Sequence, residues 1–389
     1  MYLTAFLHRD ELFDITNRWL SNKLEPEDPL QITKIITYDS FSAWETLLLF
    51  TDDLLQNLTD APVLRKKISY KKDLKDFLCH TKNQKSDRVK SLIREYVKMS
   101  EFYYVGSPLA AYICHNSHSQ ILSICRFKRI KRIAEKASRY ASMYIFDKVQ
   151  TIAHELSKDG TQTPPVAKQI PDEILITAEK RIMENMKDNG VKLPAQRMTI
   201  KDVLGIKVID NDFGENRLES ALTRSIGSRI IEKERHTGMY NAVHYVVELK
   251  VDFDHLVRKF TNSSIYIDCE KKGLPAEGLH EDFSKFVVTG ADAIHVDLIF
   301  TSFEELVESE IGRSMHENRI FEQRRQNRVF GNIPINIEYI IEYLIAVGLS
   351  PTIDIKEIPI KIWGRYLPDT LSDRIRKLHQ MPEYSMIGL

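Results

Sequence analysis

The stretch from Met198 to Asp210, which reads MTIKDVLGIKVID, constrains the fold more than any other part of the chain. It is an apolar run rich in β-branched residues, with Asp202 at its entry and Gly205 in its middle. This pattern is typical of a buried strand that delivers a carboxylate to a site. A core strand that merely begins with a polar residue has the same pattern, so the segments that follow must decide between the two interpretations.

The next segments alternate between helix and strand patterns. Residues 215–226 have helical spacing, residues 228–234 indicate a short strand, and residues 241–251 alternate as a longer strand. After an irregular insertion, residues 293–300 form another strand that leads into a Glu-rich helix at 303–319. This order predicts a β-α-β-β-(insertion)-β-α unit, a mixed sheet faced by helices.

Three short motifs within this unit resemble one known family. The segment Asp202-Val-Leu-Gly-Ile-Lys-Val-Ile resembles the D-x-x-G-I-R-V-I strand of the RelA/SpoT nucleotide pyrophosphokinases. Tyr240-Asn-Ala-Val-His244 is similar to that family's Y-R-S-L-H segment, and His295-Val-Asp297-Leu-Ile-Phe-Thr lies where its E-I-Q-I-R-T strand is expected. The order of the motifs also agrees, so the resemblance covers roughly residues 170 to 330. It implies an α+β chain with a nucleotidyltransferase-like, RelA/SpoT synthetase-like domain.

The resemblance implies transfer of a diphosphate from ATP to the 3′-hydroxyl of a nucleotide, most readily a guanine nucleotide. Such a reaction needs a carboxylate that holds Mg²⁺ against the donor phosphates, and Asp202 matches that position. It also needs a second carboxylate that orients or deprotonates the attacking hydroxyl. The family uses a glutamate there, and Asp297 takes its place beside the same metal. Under the plain structural interpretation, Asp297 instead faces solvent from a half-exposed sheet.

Further residues are candidates for substrate binding. Tyr240 matches the aromatic residue that stacks on the acceptor base, or is an ordinary aromatic residue at a strand start. His244 either points toward the same site as Asp297 or bonds a backbone carbonyl in the core. The candidates for phosphate or substrate contact on neighbouring elements are Lys180, Arg181, Lys207, Lys233, Arg235 and His316.

The chain also departs from the family at several positions. Lys207 replaces an arginine and so loses the planar bidentate fork. Met239 is inserted before the tyrosine, Asn241 replaces another arginine, and Ile299 and Thr301 replace the glutamine and arginine of the last motif. These changes support an alternative hypothesis, a catalytically inactive nucleotide-sensing or protein-interaction module that keeps the synthetase fold.

The remainder of the chain suggests four parts. Residues 1–157 show helical spacing and predict a helical N-terminal domain, and the Pro- and Gly-containing residues 158–171 predict a linker. The synthetase-like domain then covers 172–330, with an insertion at 252–292 that is a candidate cover for the acceptor site. Residues 331–389 predict an α/β extension packed on that domain.

Composition limits the partners. The chain has 389 residues, of which 43% are hydrophobic and 28% charged, and its formal net charge is zero. A polyanion must therefore meet a local basic patch. The segment from Arg126 to Arg132 is such a patch and would support the 3′ end of tRNA as an acceptor, although a solvated helix face is the favoured interpretation because acidic residues lie close to it. Four scattered cysteines predict reduced thiols in a cytoplasmic protein, and no segment predicts membrane insertion.

Overall fold

A computed structural model describes residues 1–98, 100, 108–158, 171–210, 212–238, 241–312, 332–349, 355 and 357–364. Its strands are β1 (Tyr2–Leu3), β2 (Val63–Tyr70), β3 (Pro108–Asn116), β4 (Ile121–Phe127), β5 (Thr199–Ile200), β6 (Leu204–Asp210), β7 (Ser228–His236), β8 (Ala242–Lys250) and β9 (Ala293–Ser302). Strands β1 and β5 pair with each other, and the other strands form one sheet in the order β2-β3-β4-β6-β9-β8-β7.

The helices surround this sheet. They are α1 (Arg9–Leu20), α2 (Asp28–Lys34), α3 (Ser40–Leu58), α4 (Lys71–His80), α5 (Asp87–Lys98), α6 (Ile130–Lys158), α7 (Asp172–Asn189), α8 (Ala195–Met198), α9 (Gly214–Arg224), α10 (Phe253–Thr261), α11 (Ile265–Lys271), α12 (Leu279–Thr289), α13 (Phe303–Glu310) and α14 (Asn332–Leu349), with a π-helical segment, Ile35–Asp39, between α2 and α3. In the described part of the chain, no helix combines the length and the apolar character needed to cross a membrane.

The centre of the sheet has two different faces because side chains alternate along each strand. On one face, which we call the core face, Leu204, Ile206 and Val208 of β6 belong to the larger hydrophobic core together with Val296 and Leu298 of β9. Helices α3 and α9 belong to this core as well.

The opposite face, which we call the site face, is apolar only in part. There Ile209 of β6 and Ile124 of β4 join a smaller core with α4, α5 and α13. The polar side chains of Lys207 and Asp297 lie on this same face, since each alternates with the core-face residues of its strand. The site face therefore changes along β6 itself, from a covered apolar surface at Ile209 to a polar surface at Lys207.

The N-terminal half is not purely helical. Strands β2, β3 and β4 extend the main sheet, and β4 pairs with β6 from Ser123 opposite Val208 to Phe127 opposite Leu204. The prediction of a helical domain over 1–157 is wrong for these strands. Strand β4 is buried on both faces at residues 121–125, so it lacks the alternation that identifies a half-buried strand. Of the predicted linker, residues 159–170 lie outside the described residues.

The insertion at 252–292 is not irregular, since it forms helices α10, α11 and α12. The rings of Phe260 and Phe283 stack with centroids 3.9 Å apart, and both rings meet Tyr38 of the π-helical segment edge-on. The hydroxyl of Tyr38 donates to Asp282 Oδ2 at 3.0 Å. These contacts attach the insertion to the larger hydrophobic core, on the opposite side of the sheet from Asp297. It does not cover the site face, contrary to the expectation of a lid.

The C-terminal segment is described only in part. Helix α14 packs against α6 and α2, and the buried amide of Asn336 donates to the carbonyl oxygens of Ile362 (2.9 Å) and Gly364 (2.7 Å). Residues 357–364 contain no strand. The extension therefore packs on helices from the N-terminal half.

Candidate active site

Two carboxylates meet where β6 and β9 run parallel on the site face. Gly205 lies opposite Asp297 in this register, and Asp202 precedes β6 by two residues. Burial, and then the negative charge of Asp202, raises the pKa of Asp297 to about 6. The Asp297 side chain is 24% exposed and that of Asp202 is 36% exposed. The two carboxylates therefore lie on adjoining elements, close enough for their charges to interact.

Two lysines from the N-terminal half neutralise Asp202. Lys136 Nζ on α6 donates to Asp202 Oδ1 at 2.9 Å, and Lys128 Nζ, just after β4, donates to Oδ2. Burial acts to raise the pKa of Asp202, but the two ammonium groups outweigh burial and hold this pKa below its usual value. Asp202 therefore stays ionised well below neutral pH.

Lys207 and Arg126 share a second carboxylate at the start of the polar surface. Glu310, the last residue of α13, accepts from Lys207 Nζ at 3.2 Å, and its Oε1 lies 2.8 Å from Arg126 Nη2. Lys207 Nζ also donates to the hydroxyl of Ser309 at 3.3 Å. Burial lowers the pKa of Lys207, although Glu310 partly offsets the effect. This cluster brings the cation of Lys207 close enough to Asp297 for its charge to lower the pKa of that carboxyl.

His244 lies on the site face, as one of the two sequence interpretations required. Its Nδ1 is 4.0 Å from Asp297 Oδ1, and its ring meets that of His236 at 4.4 Å between centroids. Burial, followed by the charge of His236, lowers the pKa of His244 to about 4. The imidazole is therefore uncharged at neutral pH.

Four of the proposed basic ligands lie elsewhere. Lys233 pairs with Glu215 (2.7 Å) and Glu219 (2.6 Å) of α9, and Arg235 pairs with Glu215. Their side chains point to the core face, because β7 pairs Lys233 with the core residue Tyr245 and Glu234 with His244. The prediction that these two residues bind phosphate beside the carboxylates is therefore wrong, because their side chains lie on the opposite face of the sheet from Asp297.

The other two displaced candidates are Lys180 and Arg181. Both are exposed on α7, which packs against α6. Within the described ranges, neither forms a hydrogen bond or an ion pair with Asp202 or Asp297. Tyr240 and His316 lie outside the described residues, so their roles stay predictions.

The residues that depart from the family motifs have local structural partners. The hydroxyl of Thr301 donates to the Asn241 carbonyl oxygen at 3.2 Å, and the Asn241 amide donates to Glu305 Oε1 at 2.8 Å. These bonds tie the start of β8 to the end of β9 and to α13. Asn241 and Thr301 therefore link the strands at the edge of the site to α13.

The donor set suits a magnesium ion shared with a substrate. Within the part of the chain that the structure describes, no group of three or more His, Cys, Asp or Glu side chains is placed to hold a metal ion. Mg²⁺ commonly binds one or two protein carboxylates and completes its coordination with water and substrate phosphates. Asp202 and Asp297 offer this smaller set, and the repulsion between them is what a cation would relieve. These two carboxylates are the residues that could hold such an ion.

Sequence reasoning missed Lys128, Lys136 and Glu310 as site residues. Lys128 lies in the basic stretch that begins at Arg126, whose sequence favours a solvated helix face. The stretch in fact ends β4 and enters α6, so Arg126 and Lys128 reach the site from a strand and the loop after it. Recognition of β4 as a strand that pairs with β6 would have been the signal.

Comparisons with known proteins gave only distant likenesses. No family model and no curated protein matches the chain. A structure of a GTP pyrophosphokinase family protein from Streptococcus pneumoniae aligns with 56% of this chain and 89% of its own, at 15% identity and a TM-score of 0.21. Small alarmone synthetase 1 from Bacillus subtilis aligns with 55% of this chain and 89% of its own, at 11% identity and a TM-score of 0.21. A structure of that synthetase bound to its product pppGpp aligns with 54% of this chain and 87% of its own, at 10% identity and a TM-score of 0.20. TM-scores this low do not support an inference about function. The function is therefore inferred from the residues of the site.

Proposed function

We propose that the chain transfers a diphosphate from ATP to the 3′-hydroxyl of a nucleotide in a Mg²⁺-dependent reaction. The observation that supports this proposal is the mixed charge of the site face. Asp202 and Asp297 lie together, and the cations of Lys128, Lys136 and Lys207 lie next to them. A polyphosphate needs cations around its oxygens, while a metal and an acceptor hydroxyl need carboxylates.

Each residue has a role in this proposal. Asp202 and Asp297 would hold the Mg²⁺, which when bound neutralises charge on the donor phosphates. Lys128 and Lys136 donate hydrogen bonds to donor phosphate oxygens, because their partly exposed ammonium groups lie against the carboxylate of Asp202. Asp297 accepts the proton of the acceptor hydroxyl or orients it, and its partly raised pKa suits a base at neutral pH.

The bonds balance without any further reactant. The 3′-oxygen of the acceptor forms a bond to the β-phosphorus of ATP while the bond from that phosphorus to the α,β-bridging oxygen breaks. AMP leaves with this oxygen, and the hydroxyl proton passes to Asp297 and then to solvent. A guanine nucleotide is the proposed acceptor, with Tyr240 stacking on its base and His316 contacting it. The 3′ end of tRNA is the alternative acceptor.

A nucleotide-sensing or protein-interaction module without catalysis is the second candidate. One observation favours it: ammonium groups of the chain itself contact both oxygens of Asp202. A site that has lost its metal would keep its carboxylate neutralised in this way. The two candidates differ in whether a nucleotide is converted or only bound.

The test is incubation of the purified protein with γ-labelled ATP, Mg²⁺ and one acceptor at a time: GDP, GTP, AMP, ADP or bulk tRNA. Transfer of label to one acceptor, with loss in Asp202→Asn and Asp297→Asn, would support the enzyme and identify its substrate class. Asp254→Asn is the matched control, because Asp254 is an exposed acid on α10, away from the site. Binding of nucleotide by a folded protein that transfers no label would favour the sensing module.

A further inference from the structure

The two ion pairs of Asp202 have a consequence for the metal. Lys136 Nζ lies 2.9 Å from Oδ1 and Lys128 Nζ contacts Oδ2, so each carboxylate oxygen already accepts a charge-assisted hydrogen bond. A dication that binds Asp202 needs one of the same oxygens. It must therefore either displace an ammonium group or bind a remaining lone pair with both ammonium groups beside it, and the repulsion between like charges opposes the second arrangement.

The backbone positions of Lys128 and Lys136 keep both residues close to Asp202. The Lys128 N–H donates to the Val203 carbonyl oxygen at 2.8 Å, which joins the end of β4 to the residue beside Asp202. Lys136 lies in the second turn of α6, with its ammonium group 5.6 Å from the centre of the Tyr140 ring. Both lysine side chains are about a quarter exposed, at 26% for Lys128 and 23% for Lys136. The pairs are therefore partly shielded from solvent, where an ion pair is stronger than at the open surface.

Charge balance makes a bare metal ion a poor ligand here. The two lysines balance Asp202 and Asp297, so a free dication would leave a positive excess in a partly buried site. A nucleotide polyphosphate brings its own negative charge and supplies acceptor oxygens for the displaced ammonium groups. Lysine can make this exchange because its flexible stem carries three rotatable donors.

We propose that Lys128 and Lys136 make metal binding at Asp202 conditional on a nucleotide polyphosphate, so that the chain binds the metal together with the nucleotide and not before it. This inference rests on the proposed function, because it takes Asp202 as a metal ligand. It goes further by assigning the two lysines a control over the order of binding.

Binding of Mn²⁺ in place of Mg²⁺ tests the inference without any turnover. Electron paramagnetic resonance measures free Mn²⁺ as the protein is titrated, first with Mn²⁺ alone and then with α,β-methylene-ATP, whose α,β-bridge cannot be cleaved. We expect the analogue to strengthen Mn²⁺ binding to the wild-type chain, beyond the affinity of Mn²⁺ for the analogue itself, by at least about tenfold.

Removal of the lysines should uncouple the two ligands. In Lys128→Met/Lys136→Met, Mn²⁺ alone should bind at least about tenfold more tightly than to wild type, because two positive charges beside Asp202 are then removed. Each single substitution should give part of the effect. Lys148→Met is the matched control, since Lys148 is an exposed lysine on the same helix, and it should change nothing. Circular dichroism melting checks that every variant is folded.

The outcomes separate this inference from the proposed function. If the wild-type chain binds Mn²⁺ alone as tightly as with the analogue, or if the double variant keeps the coupling, the lysines do not control the order and the inference is overturned. If no variant binds Mn²⁺ under either condition, or if Asp202→Asn leaves binding intact, the metal assignment in the proposed function fails and the inference fails with it.

Discussion

Nδ1 of His244 on β8 lies 4.0 Å from Oδ1 of Asp297 on the adjacent strand β9. Burial and the charge of His236 lower the pKa of His244 to about 4, whereas burial and the charge of Asp202 raise the pKa of Asp297 to about 6. At neutral pH the pair is thus a neutral imidazole beside an ionised carboxylate. At this pH either group can accept the proton of the acceptor hydroxyl. The pH dependence of the reaction rate distinguishes the two.

The first prediction assigns the base. If Asp297 accepts the acceptor's proton, kcat/KM should fall about tenfold per pH unit below about pH 6, because the protonated carboxyl cannot act as a base. A profile that stays flat down to about pH 4 would assign the role to His244 instead. The measurement is initial-rate diphosphate transfer across this pH range, with His244→Gln as the comparison. That variant should keep the midpoint near that of wild type.

The second prediction concerns stability. The folded chain holds the Asp297 proton more tightly than the unfolded chain, so ionisation of Asp297 lowers the free energy of unfolding as the pH rises through about 6. Asp297→Asn removes this penalty and should raise the free energy of unfolding by about 1–3 kcal/mol at about pH 7.5. The difference should disappear below about pH 4, where the carboxyl is protonated in both states. Urea unfolding at the two pH values, without metal, measures it, and a destabilised variant at the higher pH would contradict it.

The sequence predicted the middle of the sheet well. Strands β6, β8 and β9 and the helix after β6 lie close to the expected positions, because each follows a clear apolar period. The same period predicted that Asp297 faces away from the apolar row of its strand, and the structure agrees. Local patterns were sufficient here because one face of each strand is buried.

The lysine pair on Asp202 was not predictable in this way. Lys136 is 66 residues from Asp202 along the chain and Lys128 is 74 residues away, so only tertiary structure brings them together. The wrong placement of Lys233 and Arg235 has a related cause. The face on which a residue of β7 lies depends on its register with β8. This register shifts between Ile230 and Glu232, and the sequence of β7 alone does not reveal such a shift.

The third prediction concerns the shared carboxylate of Glu310. Glu310→Ala leaves Lys207 and Arg126 buried without their countercharge and should lower the free energy of unfolding by about 3 kcal/mol. Adding Lys207→Met should recover part of this loss, which a double-mutant cycle in urea would detect. Glu308→Ala on the same helix is the control, because Glu308 pairs with the exposed Arg88 and should matter little. Equal losses from both glutamates would refute the buried-pair explanation.

The fourth prediction uses Gly205, which lies between Arg126 on β4 and Asp297 on β9. A Cβ atom there would meet only the Asp297 carbonyl oxygen, at an ordinary contact distance of 3.6 Å. Gly205→Ala should therefore fold with little change in Tm, whereas Gly205→Leu should weaken nucleotide binding at least about tenfold by filling the site face. Gly205→Ala should have a smaller effect on binding. Calorimetric titration with α,β-methylene-ATP measures both, and unchanged affinity in the leucine variant would place the nucleotide elsewhere.

The fifth prediction tests the face on which the basic residues of β7 lie. Lys233 and Arg235 are paired with Glu215 and Glu219 on the core face, so their loss should leave nucleotide affinity within about twofold of wild type. Lys233→Met/Arg235→Met should instead loosen the contact between β7 and α9, with a lower Tm as the result. Lys207→Met, which removes a cation from the site face, should weaken nucleotide binding. If the β7 double variant loses affinity as strongly as Lys207→Met, these side chains must leave α9 when the nucleotide binds, and the sequence-based assignment of phosphate contacts to β7 would be restored.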